Sequence, residues 1–345
     1  MHRRPAVVSK CKTGRSGAGV ATLQCLRGRE VRKRGLREKP VEYKRLPADM
    51  DYRFFDFGRR ARFAPGRTSF SPATAWWLSE FSHLAYTHPG FARMALELAG
   101  FRGFRYFNGP RTDCIVAWRR RLMVIAFRGT DRRGKSAPYE IVTNLSVLPK
   151  AFPAGGRVHG GFLDAFNEVW QGKNSLQEFL KEMTKSRRRR VWITGHSLGG
   201  ALGSLCFSSF PAATGLYTFG SPRVGDKEYV RILSGRPVYR VEHARDPVPF
   251  LPPDTPGLSI HYEPYGKLIY ITRDGELLTR RPRLETAAEP EPVEEIRGAL
   301  AGFIREARES IEDYFENLRL TITDHLPIHY SAKLWNAYVN RKEPH

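Results

Sequence analysis

From Ala73 to Tyr86 (ATAWWLSEFSHLAY) apolar side chains recur at helical spacing, and Ser71 with Pro72 in front supplies a capped start. A helix is expected there. Two short apolar runs follow, Cys114–Trp118 and Leu122–Phe127, joined by Arg119-Arg120-Arg121 in a strand, turn, strand pattern. The two periods then alternate. A helix is expected around Gly161–Met183, a strand at Val191–Thr194, a helix from Leu198 onward, and strands at Leu216–Phe219 and Val238–Val241. A further apolar run covers Lys267–Thr272, and a helical segment covers Tyr330–Tyr338. Alternation with short connections predicts an α/β fold, a mostly parallel central sheet flanked by helices. No internal repeat is visible.

Between the last strand and the last helix lies a charged helical insertion, residues 273–323. Its first part contains proline (RRPRLETAAEPEP), and its second has Ile296, Leu300, Phe303, Ile304, Ala307, Ile311, Phe315 and Leu318 on one helical face. The plain reading is an amphipathic helix packed on the body. The sharper one makes it part of a cover over a substrate groove.

Composition narrows the class. A 345-residue chain that is 41% hydrophobic can bury a large core, which excludes a disulfide- or metal-stapled mini-protein. No apolar run approaches the roughly 20 residues needed to cross a bilayer. Four cysteines (Cys11, Cys25, Cys114, Cys206) have no C-x-x-C spacing, so neither a zinc site nor a disulfide framework is implied. The net charge of +22 is unusual and attracts polyanions or an anionic membrane surface. Residues 1–48 carry half of it, with 14 basic and three acidic residues, and read as a disordered basic arm ahead of one domain over 49–345. The arm has no apolar core of a secretory signal, so a cytoplasmic protein with peripheral membrane contact is expected. Met50 precedes the first aromatic cluster, and a start of translation there, leaving the arm out of the native protein, is an open alternative. Residues 285–318 hold ten acidic and three basic residues, so the rest of the domain is basic in its own right.

The chemistry centres on Gly195-His196-Ser197-Leu198-Gly199, which fits G-x-S-x-G, a turn that lifts a serine from a strand end onto a helix N-terminus. The strand-like Val191–Thr194 before it and the small-residue helix start after it supply the setting this motif needs. Such a serine requires a base and an acid that orients the base, in the chain order Ser, Asp or Glu, His. Asp246, on a proline-rich loop after the strand Val238–Val241, is the leading acid, with Asp226 and then Asp254 behind it. His325 comes after the last strand and is the leading base, with His261 as the fallback. His159, His196 and His243 read as neutral, hydrogen-bonded histidines. Oxyanion donors are expected from the backbone N–H of Leu198 and from Thr130, in the turn after Leu122–Phe127.

Five motifs occur together and in order: Phe127-Arg128-Gly129-Thr130, Val158-His159-Gly160-Gly161-Phe162, Thr194 to Ala201 around the serine, Thr218-Phe219-Gly220-Ser221-Pro222-Arg223-Val224-Gly225, and Asp246-Pro247-Val248-Pro249. With Ser82-His83-Leu84-Ala85-Tyr86 before them and Asp324-His325 and Tyr330 after, the chain resembles the class 3, fungal-type lipases over residues 70–338. The resemblance implies an α/β-hydrolase fold that cleaves carboxylic esters of lipids. Ser197 would be its nucleophile, Asp246 the orienting acid, His325 the base, and Thr130 and Leu198 the oxyanion hole. In that family the segment after the RGT turn is often a lid, which falls here on 131–148, with Ile141 and Asn144 at the family's Trp and acidic positions.

The expected reaction is two-step acyl transfer through an acyl-enzyme, without metal or organic cofactor. Triacylglycerol, monoacylglycerol, phospholipid (as in phospholipase A1) and simple esters all remain open as substrates. A lipid acyltransferase would use the same acyl-enzyme with another acceptor. The competing class is a non-enzymatic polyanion-binding protein on a hydrolase scaffold, supported by the arm and by the basic runs Arg119–Arg121 and Arg187–Arg190. No basic stripe is interleaved with aromatics, so specific nucleic-acid binding is not expected.

Overall fold

The computed structural model describes residues 52–56, 58, 61–130, 148–185, 188–252, 260–282 and 323–340. In chain order the elements are α1 (Pro72–Leu84), α2 (Pro89–Leu98), β1 (Gly103–Asn108), β2 (Asp113–Arg119), β3 (Leu122–Phe127), β4 (Pro149–Ala151) and β5 (Arg157–His159). They continue with α3 (Gly160–Trp170), α4 (Leu176–Lys185), β6 (Arg190–His196), α5 (Leu198–Ser209), β7 (Gly215–Phe219), α6 (Lys227–Leu233) and β8 (Val238–His243). The last are β9 (Lys267–Ile271), β10 (Leu277–Leu278) and α7 (Pro327–Val339), with short 3₁₀ turns at Val248–Phe250 and Thr323–His325.

LMVIAF is apolar at six successive positions, so a strand made of it has no face that can be left wet and belongs inside a covered sheet. It becomes β3, buried throughout, in an eight-stranded sheet ordered β1-β2-β3-β6-β7-β8-β9-β10. The five strands from β3 to β9 are parallel to their neighbours, and the flanking strands β1, β2 and β10 are antiparallel. This is the expected α/β-hydrolase architecture of a mostly parallel sheet between helices.

Alternation along β3 divides the core in two. Met123, Ile125 and Phe127 face one layer, where they join Phe162 and Phe166 of α3 and Leu202, Leu205 and Cys206 of α5. Val124 and Ala126 face the other, with Trp76 and Phe81 of α1 and Leu334 and Trp335 of α7. Each fully buried large side chain contributes about 1.5–3 kcal/mol relative to exposure. Helix α1 starts as its sequence predicts: Ser71 caps it by accepting from the Thr74 N–H, and Pro72 fills the first turn. Its partner is α7. The Trp76 and Trp335 rings lie 4.6 Å apart, and Ser331 Oγ donates to Ser79 Oγ at 3.1 Å.

Several expectations are corrected. The single helix expected over Gly161–Met183 is two, α3 and α4, because Gly172 (φ +95°) and Asn174 (φ +60°) turn the chain between them. Helices α2 and α6, strands β1 and β10 and the two-stranded sheet β4–β5 come in addition to the expected elements. Strand β10 pairs with β9, so the stretch from 273 begins as a sheet edge before leaving the described residues at 283. The arm, residues 131–147 of the expected lid and the rest of the insertion, 283–322, lie outside the described residues. Cys114 and Cys206 are fully buried free thiols whose pKa burial pushes up, as structural cysteines require. No helix among the described residues is long and apolar enough to cross a membrane.

Candidate active site

In a parallel sheet the loops at the strands' carboxyl ends converge, and side chains carried there by different strands can meet. Strand β6 ends at His196, and Ser197 follows with φ +57° and ψ −133° before α5 begins at Leu198. Ser197 N–H donates to the Phe219 carbonyl at the end of β7 (2.9 Å), and the Ser197 side chain makes no capping hydrogen bond. The turn is tight enough that a Cβ at Gly199 would lie 2.3 Å from the Phe127 carbonyl oxygen of β3. As the first residue of α5, Leu198 has an N–H with no partner within the helix, as the first N–H groups of any helix do.

Asp246 follows β8 and is buried, as is His325. His325 Nδ1 lies 2.8 Å from Asp246 Oδ2. A carboxylate accepts, so Nδ1 carries the proton and Nε2 keeps its lone pair. That Nε2 is buried and has no hydrogen-bond partner among the described residues. Asp246 also receives the Val248 N–H on Oδ1 (2.9 Å) and the Tyr330 hydroxyl on Oδ2 (2.5 Å). Burial, and then the Asp246 charge, push the Tyr330 phenol well above its ordinary pKa, so it stays a donor. Gly220, at φ +54°, passes beneath the pair. A Cβ there would sit 2.5 Å from Asp246 Oδ2 and 2.9 Å from His325 Nδ1.

The peptide carrying His325 is held by two other histidines. His196 Nε2 lies 2.5 Å from the His325 carbonyl, and the two rings lie 4.5 Å apart, tilted by 37°. A carbonyl only accepts, so His196 carries its proton on Nε2 and takes the Tyr86 hydroxyl on Nδ1 at 2.8 Å. His243 Nδ1 donates to the Asp324 carbonyl at 2.9 Å, and the Arg245 N–H donates to the Asp324 carboxylate at 3.2 Å. Both histidine contacts end on backbone carbonyls, which is why no spacing in the sequence announces them. His159 has a simpler place, capping α3 through the Phe162 N–H.

Burial lowers the His243 pKa to about 4, against its ordinary 6.5. Unfolded chains take up this proton near pH 6.5 and the folded protein resists it down to about 4, so stability present above that window is lost as the pH falls through it. The difference corresponds to up to about 3 kcal/mol. Chemical denaturation at pH 7 and pH 4.5 is expected to show this loss, and His243→Gln to lose less. An equal loss in the variant would remove His243 as its source.

Thr130 is half-buried, three residues past the end of β3, and Phe127 pairs in register with Gly195, so Thr130 and Ser197 share one end of the sheet. Of the alternatives, Asp226 caps α6 by accepting from the Tyr229 N–H and also takes the Arg157 N–H, each at 3.0 Å. His261 is exposed beside Glu263. Asp254 lies outside the described residues. Among the described residues, no three His, Cys, Asp or Glu side chains gather in a way that could hold a metal ion.

Comparison with known proteins follows the same lines. The profile of the Lipase (class 3) family matches residues 124–255, a span that holds Ser197, Asp246, Thr130 and Leu198. A lipase of Rhizomucor miehei is 37% identical over 134 residues, 35% of this chain and 36% of that protein. Secreted mono- and diacylglycerol lipase 1 of Fusarium solani is 39% identical over 121 residues, 32% of this chain and 35% of that protein. The chain thus spans about a third of the length of these curated relatives. In fold, it is similar to the solved structure of the Rhizomucor miehei triacylglyceride lipase, with a TM-score of 0.50 and 24% identity, covering 64% of this chain and 90% of that one. The sheet order, the strand, turn and helix around Ser197 and this profile agree: over residues 124–255 the chain is similar to the class 3 lipase family.

Proposed function

We infer that this protein is a serine hydrolase that cleaves carboxylic esters of lipids through an acyl-enzyme on Ser197. The observation that carries the reading is the hydrogen bond between His325 Nδ1 and Asp246 Oδ2, which leaves a buried Nε2 lone pair with no partner at the end of the sheet where Ser197 sits. In the proposed reaction that lone pair takes the Ser197 proton as Oγ attacks the ester carbonyl. The N–H of Leu198, with the N–H and hydroxyl of Thr130, receives the oxyanion. His325 then returns the proton to the departing alcohol, and water repeats the sequence to release the acid. Asp246 keeps the imidazole in the productive tautomer, and Tyr330 and the Val248 N–H keep Asp246 in place.

Glycerides are the proposed substrates, because the relatives are described as a triacylglyceride lipase and a mono- and diacylglycerol lipase. A fluorophosphonate probe is expected to form one adduct, on the peptide containing Ser197, and to abolish turnover in a panel of tri-, di- and monoacylglycerols, phosphatidylglycerol and p-nitrophenyl butyrate. An adduct on another residue, or inhibition without an adduct, would overturn the assignment.

A further inference from the structure

The two basic runs are distant in sequence and adjacent in the fold. Arg120 and Arg121 form the tight turn of the β2–β3 hairpin, whose last pair is Arg119 with Leu122. Leu122 is in turn paired in register with Arg190, and the Arg190 N–H donates to the Arg121 carbonyl at 2.7 Å. Backbone hydrogen bonds thus fix the hairpin turn beside the segment leading into β6, which carries Arg188. Between them lies a cavity of about 910 Å³ lined by Pro65, Arg119, Arg120, Arg121, Leu122 and Arg188. That is the size of a small-molecule pocket.

Among the described residues its charge is uncompensated. Arg120, Arg121, Arg188 and Arg190 have no carboxylate partner among the described residues, although surface arginines commonly find one. Arg119 is anchored: its guanidinium lies 4.8 Å from the Phe101 ring and 5.6 Å from the Trp77 ring, and it donates to the Ala99 carbonyl. Trp192 Nε1 holds the Pro65 carbonyl at 3.0 Å, fixing another wall. Arg120 adopts φ +41°, where glycine or asparagine would turn the hairpin without strain. Like charges on fixed backbone, one of them strained, destabilise the empty protein and favour a bound anion. Guanidinium groups meet phosphate oxygens in bidentate pairs.

Position separates this cavity from the candidate active site. It opens at the amino ends of β3 and β6, and Ser197 follows the carboxyl end of β6, about 20 Å away along the strand. A membrane held against these arginines would face away from Ser197, which favours a dissolved ligand over a lipid surface. We propose that this pocket binds a soluble anion bearing two or more linked phosphates, at a site independent of ester hydrolysis. The proposal does not rest on the reaction assigned above.

The test titrates the full-length protein with inorganic tripolyphosphate by calorimetry at physiological ionic strength. The double variant Arg121→Ser, Arg188→Ser, which alters two exposed side chains, is expected to weaken binding at least tenfold. The control variant Lys181→Ser, Lys227→Ser removes the same charge elsewhere and is expected to change binding less than twofold. Hydrolysis of p-nitrophenyl butyrate is expected to stay within twofold of wild type in both. Absence of tripolyphosphate binding, or equal weakening in the two variants, would overturn the proposal in favour of diffuse charge. Phosphatidylglycerol vesicles that bind through Arg121 and Arg188 and are not displaced by tripolyphosphate would also overturn it, assigning the face to a membrane.

Discussion

Replacing Ser197 with alanine is expected to lower ester hydrolysis by about 10⁴- to 10⁶-fold, the cost seen when serine hydrolases lose the nucleophile and keep only oxyanion stabilisation and binding. The fold should not notice. Ser197 occupies φ +57°, and alanine carries the same Cβ in the same strained turn, so the backbone cost is unchanged. The lost hydroxyl caps no helix. Thermal unfolding is therefore expected to match wild type within about 0.5 kcal/mol. The decisive measurement pairs kcat/KM on p-nitrophenyl butyrate with the melting curve of the same sample. A variant that melts normally and keeps a tenth of its activity would remove Ser197 from the mechanism.

The second large effect is expected at Asp246. Asp246→Asn keeps size and shape but replaces an acceptor oxygen with an amide N–H₂ at one of two positions. The Val248 N–H needs an acceptor at the first, leaving the amide donor to face His325 Nδ1 and the Tyr330 hydroxyl. His325 then accepts at Nδ1 and moves its proton to Nε2, the atom proposed to take the proton from Ser197. Wrong-tautomer substitutions of this kind cost about 10⁴-fold in kcat. Tyr330→Phe is the informative control, since it removes one of three donors to Asp246 and leaves the tautomer alone. It is expected to retain far more activity than Asp246→Asn. If the two variants lose activity equally, the carboxylate acts through its overall hydrogen bonding and not through the histidine proton.

The fold was largely legible wherever one strong local signal decided the outcome. LMVIAF can only be a doubly covered strand, and the strand, turn and helix around Ser197 follow from small residues packed where β3 and β7 approach. Legibility failed where the decision was made by packing at a distance. Strand β1 is only half-buried over most of its length and shows no clean alternation, so only its antiparallel pairing with β2 defines it. The break between α3 and α4 depends on two residues in the left-handed region, one of them the non-glycine Asn174. At the candidate site, chain order is enough to nominate an aspartate and a histidine 79 residues apart. It says nothing of how His196 and His243 hold the backbone around His325, because carbonyl acceptors look alike at every position of a sequence.

The pairing of α1 with α7 joins residues 72–84 to residues 327–339, so a core that begins to form early is finished by a helix made more than 240 residues later. His325 sits two residues ahead of that helix and arrives with it. A nascent chain paused after β8 already displays the elbow serine, yet lacks both the proposed base and the cover for Trp76. Contacts this distant in sequence form late in folding. On the proposed chemistry, competence toward esters therefore waits for α7, and a chain stopped before it is expected to be inactive.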